Sequence, residues 1–163
     1  MTKSAGISFD ETDRARVIRF RDGDQREPAL MLGAPFLAGM EATLQRIDVG
    51  GGEIETQFRP GEKYIAARNT LQGGAIAAML DLTMVFLVLA LIPDDKVTST
   101  ASMTISYLRP AYAGLYVGKG KIERAGGSMI FARAELVALL GDTVATATAL
   151  FPVIDRVRAG SRR

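Results

Sequence analysis

Residues Gln72 to Leu91, QGGAIAAMLDLTMVFLVLAL, decide how the rest of the chain must be arranged. From Gly73 onward the stretch holds no lysine, arginine or glutamate and one acid, Asp81, so it predicts a helix that is apolar on nearly every side. A helix without a solvent face must be wrapped by other elements. A carboxylate inside such a run is expensive to bury and requires either a structural partner or a chemical task.

The 163 residues are 48% hydrophobic and 23% charged, the range of one globular domain with its own core. The chain contains no histidine and no cysteine. Imidazole bases, thiolate nucleophiles, disulfides and most zinc sites are thereby excluded, and acid–base work falls to carboxylates. No basic segment followed by an apolar one stands near Met1, so a cytoplasmic location is expected. The run from Gly73 to Ile92 approaches the length of a membrane span, but Asp81 and the small residues at its start argue against insertion. The net charge of +2 is scattered and no aromatic–basic module is present, so neither a membrane nor a nucleic acid is an expected partner.

Residues 1–34 are charge-rich, with Val17, Ile18 and Phe20 as apolar content in their middle, and read as an arm with at most one short strand. A short helix or turn is expected over 35–40 and a strand over 41–48. The triple glycine at Gly50-Gly51-Gly52 then turns the chain into a strand over 53–58, ended by Pro60-Gly61. After the helix, closed by Pro93-Asp94-Asp95, come strands over 97–108, 115–124, 129–139 and 143–153, separated by Gly126-Gly127 and Gly141-Asp142. Two strands, one long helix and a four-strand antiparallel meander make the pattern of a hotdog fold. This is an α+β architecture, a curved antiparallel sheet wrapped around one central helix, here over 35–155 with a basic tail at 156–163. The open sheet edges and helix end predict a homo-oligomer, a dimer or a dimer of dimers.

Backbone N–H groups in a helix's first turn lack intrahelical acceptors and stabilise an oxygen that gains negative charge. Gly73 and Gly74 let a ligand approach that turn closely, although the pair by itself is equally compatible with a tight loop-to-helix entry. Gly74 lies two turns above Asp81 with Ala77 and Ala78 between them, so small residues line a groove along this stripe. The rise of the helix puts the carboxylate roughly 10 Å from the Gly73 N–H, too far for both to act on one carbonyl. If they cooperate, an antiparallel pairing of two such helices must bring Gly73 of one subunit to Asp81 of the other. The alternative is a buried acid bonded to a nearby hydroxyl such as Thr83. On the strand over 97–108, Val97, Ser99, Ala101, Met103, Ile105 and Tyr107 share the face expected to meet the helix, and Ser99 is placed to bond the acid or a water beside it.

The segments Gln72-Gly73-Gly74, Met79-Leu80-Asp81, Thr98-Ser99-Thr100 and Ile105-Ser106-Tyr107-Leu108-Arg109-Pro110 resemble the hotdog-fold acyl-CoA thioesterases of the phenylacetate-degradation type. The resemblance covers about 36–153. It implies hydrolysis of a thioester at a dimer interface without a metal or a separate cofactor, coenzyme A being part of the substrate. By position it implies Asp81 as base or nucleophile, the Gly73 N–H as the group that polarises the thioester carbonyl, and Ser99 as an aid in placing water. For the coenzyme A phosphates it points to Arg109, Ser128 and Arg158, and Gly74 and Val85 join the substrate-binding set. Two positions depart from the family: Gln72 stands where a histidine is common, and Ala66 where an asparagine or glutamine often is. Gln72 remains a candidate donor that cannot titrate, and Asn69, where the family usually has glycine, is a candidate for the missing amide or for ordering the loop. A dehydratase is disfavoured because such sites usually rely on histidine. A non-catalytic acyl-CoA-binding protein is the alternative that the two departures favour.

Overall fold

The computed structural model describes residues 12–23, 28–31 and 35–156. Its elements are α1 (Asp13–Arg21), β1 (Ala29–Leu30), α2 (Pro35–Met40), β2 (Thr43–Asp48), β3 (Glu53–Phe58), α3 (Gly73–Leu91), β4 (Lys96–Thr98), β5 (Ser102–Tyr107), β6 (Tyr116–Ala125), β7 (Met129–Ala138) and β8 (Thr143–Asp155). The eight strands form one antiparallel sheet in the order β1-β2-β3-β6-β7-β8-β4, with β5 also on β8. The sheet curls around α3, which is the hotdog arrangement.

Helix α3 is, among the described residues, the one helix long and apolar enough to cross a membrane by length and composition. In this fold it is the core instead: Ile76, Met79, Leu80, Met84, Leu87 and Val88 are buried against Phe58, Leu136 and Phe151 of the sheet. The close approach is made by Gly118 and Gly120 of β6. A Cβ on Gly118 would lie 2.6 Å from Thr56 Oγ1, and one on Gly120 would lie 2.7 Å from Ile54 Cγ2 and 3.2 Å from Thr83 Cγ2. Inside this notch the hydroxyls of Thr56 and Thr83 meet at 2.8 Å, and Thr83 also donates to the Met79 carbonyl. Both side chains are fully buried and fully satisfied.

Three expectations are corrected. The four late strands are not a simple meander: β5 leaves the row to pair with the far side of β8, and β3 takes the free side of β6. The segment read as an arm with a short strand contains α1, capped by the Thr12 hydroxyl on the Ala15 N–H and buried through Val17. Its stability is tertiary, because Arg14 donates to the carbonyls of Ile92, Pro93 and Lys96, and Arg21 to that of Ala90, at the C-terminal end of α3. The single strand over 97–108 is broken in two. Four steps from Thr98 to Ser102 match three from Val153 to Leu150, so one extra residue is inserted and the faces exchange.

Candidate active site

The start of α3 is left open by its own chain. Gln72 occupies the N-cap in an extended conformation, φ −64° and ψ 139°, and its side chain makes no capping bond. Its carbonyl takes the N–H groups of Ala75 and Ile76, so those of Gly73 and Gly74 are the ones without an acceptor. Gln72, Gly73 and Gly74 are all exposed. Neither glycine is demanded by the subunit itself, since a Cβ on Gly74 would meet nothing within 4 Å and one on Gly73 only the Tyr107 ring at 3.4 Å or more. A tight loop-to-helix entry therefore does not account for the pair, and the room they leave faces outward.

The loop leading to this turn is rigidly held. Arg68 and Asn69 both adopt the left-handed conformation, at φ 61° and 60°. Asparagine tolerates that region, which explains its standing in a glycine position, while arginine there is strained. The conformation is imposed by the bonds around it: Ala66 N–H to Thr70 O at 2.6 Å, Thr70 Oγ1 to Ala67 O at 3.0 Å, and Leu71 N–H to Ala111 O at 2.8 Å. Asn69 itself is exposed and ends the turn.

Asp81 is half-buried on the side of α3 that the sheet covers least, with Ala77, Ala78, Leu82, Val85 and Leu89. It accepts a hydrogen bond from Thr100 Oγ1 at 2.6 Å. Thr83, the other hydroxyl considered for it, is spent on Thr56 and Met79. Thr100 was missed in the sequence because regular alternation gives Ser99 the inward position. The extra residue before Ser102 turns Thr98 and Thr100 toward the helix and leaves Ser99 exposed. Val85 is half-buried on the stripe of Asp81, whereas its neighbour Met84 is fully buried in the core.

Strand β5 connects the two groups. Just before it begins, Thr100 holds Asp81, and at its end Tyr107 donates to the Gly73 carbonyl at 3.0 Å. Arg109 lies at the Gly73 end, ion-paired with Asp142 beside a groove of about 410 Å³ lined by Pro110, Tyr112, Leu139 and Leu140. Ser128 lies at the other end, where its carbonyl accepts from the Val153 N–H. Nine residues of β8 separate Val144, bonded to Arg109, from Val153, so Arg109 and Ser128 are about 30 Å apart within one subunit. Arg158 lies outside the described residues.

A sheet curled around a helix that offers free amide donors at its start and one carboxylate two turns on defines a hotdog protein whose site can act on a carbonyl. The chain belongs to the thioesterase superfamily. That family's model matches residues 69–145. A phenylacetic acid degradation-related protein from Ralstonia eutropha JMP134 is 31% identical, with a TM-score of 0.72 over 83% of this chain and 98% of its own. A thioesterase family protein from Silicibacter pomeroyi (18% identical, TM-score 0.70, 87% of this chain and 98% of its own) shares the fold. So does a thioesterase from Haemophilus influenzae (13% identical, TM-score 0.67, 73% and 82%). No curated protein matches the chain in sequence. Membership of the family places the chemistry, at the general level, in thioester hydrolysis.

Proposed function

We propose that the protein is an acyl-CoA thioesterase whose site is completed by a second copy of the chain, with Asp81 as general base and the Gly73 N–H as oxyanion donor. The observation that carries this reading is the placement of β5. Its inner edge is paired with β8, its outer edge is unpaired among the described strands, and its two ends are tied to Asp81 and to Gly73. Antiparallel pairing of β5 with its own copy, centred on one residue in its middle such as Met103 or Thr104, carries Asp81 of the partner subunit toward Gly73 of the first. The same operation brings Ser128 of the partner subunit to the end that holds Arg109 and the apolar groove.

The carboxylate has one oxygen held by Thr100, which leaves the other to take a proton from water. The hydroxide oxygen adds to the thioester carbonyl carbon, and the electron pair moves to the carbonyl oxygen, which the Gly73 N–H stabilises. Collapse breaks the C–S bond, and Asp81 returns its proton to the departing thiolate, giving free acid and coenzyme A. The test is release of thiol from a panel of aliphatic and aromatic acyl-CoA thioesters. Activity is expected with at least one, and Asp81→Asn should lower kcat by about 10²- to 10⁴-fold. No release from any member of the panel, or an unaffected Asp81→Asn, overturns the reading; saturable binding without turnover would favour the acyl-CoA-binding alternative.

A further inference from the structure

We infer that Tyr107 is a positioning residue for the oxyanion donors, acting through the peptide group that joins Gly73 to Gly74; the inference rests on the thioesterase reading above. The Tyr107 hydroxyl donates to the Gly73 carbonyl oxygen at 3.0 Å. That oxygen and the Gly74 N–H belong to one conjugated amide. A hydrogen bond received at the oxygen draws electron density away from the nitrogen and makes the N–H a stronger donor, the cooperative effect that links chained hydrogen bonds. The Gly74 N–H has no intrahelical acceptor, and Gly74 is exposed, with nothing within 4 Å of the place of a Cβ. The polarised donor is thus free to be used by a ligand, beside the Gly73 N–H.

Packing within the subunit does not explain the contact. Tyr107 is 53% exposed on its own chain, so its ring adds little burial there, and it stands beside Gly73 at 3.4 to 3.6 Å from the place of a Cβ. The helix does not need the bond either, because a carbonyl in the first turn of a helix already receives the N–H four residues on. What fixes the phenol is the sheet, through the register that sets Tyr107 opposite Ala145. The strength of the donor at the mouth of the helix is therefore set from the strand that follows Thr100, the hydroxyl donor to Asp81.

The experiment is Tyr107→Phe, with Thr43→Val as a control that also removes one hydroxyl donor to a carbonyl, that of Gln57 at 3.3 Å, between β2 and β3. On an acyl-CoA that the wild type hydrolyses, Tyr107→Phe should lower kcat about three- to tenfold, a fraction of the effect of losing a whole donor, with KM unchanged. In the substrate-free protein the Gly74 amide proton should move upfield, and Thr43→Val should move neither quantity. An unchanged kcat, a loss confined to KM, or an unmoved Gly74 amide overturns the inference. If the wild type hydrolyses no acyl-CoA, the thioesterase reading falls instead, and the amide resonance still decides whether Tyr107 polarises the peptide.

Discussion

The two ends of α3 are treated in opposite ways. At the C-terminal end, Arg14 and Arg21 of α1 reach four carbonyls, those of Ala90, Ile92, Pro93 and Lys96, with distances of 2.6 to 3.2 Å. At the N-terminal end the cap residue makes no side-chain bond, two amides lack acceptors and three consecutive residues are exposed. Closure of the first end matches cations to the negative pole of the helix. The open end is the positive pole, and what suits it is an anion or a carbonyl that becomes one. On the proposed reading stability and reactivity are separated along one helix, and substitutions at its two ends should separate them in experiment.

The largest effect is expected at the open end. Gly73 is the first helical position, and Gln72 before it already has the conformation that precedes proline, so Gly73→Pro removes one N–H with little cost to the helix. It should lower kcat by about 10²- to 10³-fold with Tm nearly unchanged, while Gly73→Ala, which keeps the N–H, should lose far less. Equal losses in the two variants would mean that space, not the amide, matters at that position. Mixing then sharpens the point, because in the proposed dimer one Asp81→Asn and one Gly73→Pro subunit together retain one intact site. Co-refolded mixtures should regain about a quarter of wild-type activity from two inactive parents, whereas a site contained in one chain would regain none.

The closed end should respond in stability alone. Arg14→Ala removes charge-assisted bonds to three carbonyls and should cost about 2–3 kcal/mol, or about 5–10 °C in Tm, with kcat per folded molecule unchanged. The cost is moderated because the Arg14 Nε is buried without a partner, the one such side-chain atom among the described residues. The smallest effect belongs to the outer face of the sheet, remote from both ends. Hydrogen bonds from Lys121 and then Arg46 hold the Glu53 carboxyl below the usual glutamate range. A group with a lowered folded-state value contributes above its unfolded value, and that contribution disappears as the pH falls through the lowered one. Glu53→Gln should therefore show a slightly lower Tm than the wild type near neutrality, the gap closing on acidification, and no change in kcat at either pH.

How far these features are legible in the sequence depends on whether they are local. The bounds of β3 and the extent of α3 follow from alternation, Pro60-Gly61, Pro93 and the apolar run, all written within a few residues. Gly73, Gly74 and Asp81 stand out for the same reason. Helix α1 is not legible, because Asp13 to Arg21 has little apolar content and is held by carbonyls about 70 to 80 residues away. Thr100 is missed because one inserted residue, visible only against β8, reverses the count of faces. The strand order is likewise a property of the closed sheet: nothing in β6 itself announces that β3 lies beside it.

The hydroxyl pair of Thr56 and Thr83 works as the index pin of a dial. Thr83 is two residues past Asp81, about 200° around the helix axis, so it sits almost diametrically opposite the acid. Locked to Thr56 in the notch made by Gly118 and Gly120, it fixes the rotation of α3 about its own axis. One click of that dial would swing the carboxylate into the apolar wall of the sheet. The bearing of Asp81 is thus set on the far side of the helix, by two residues that are themselves fully buried.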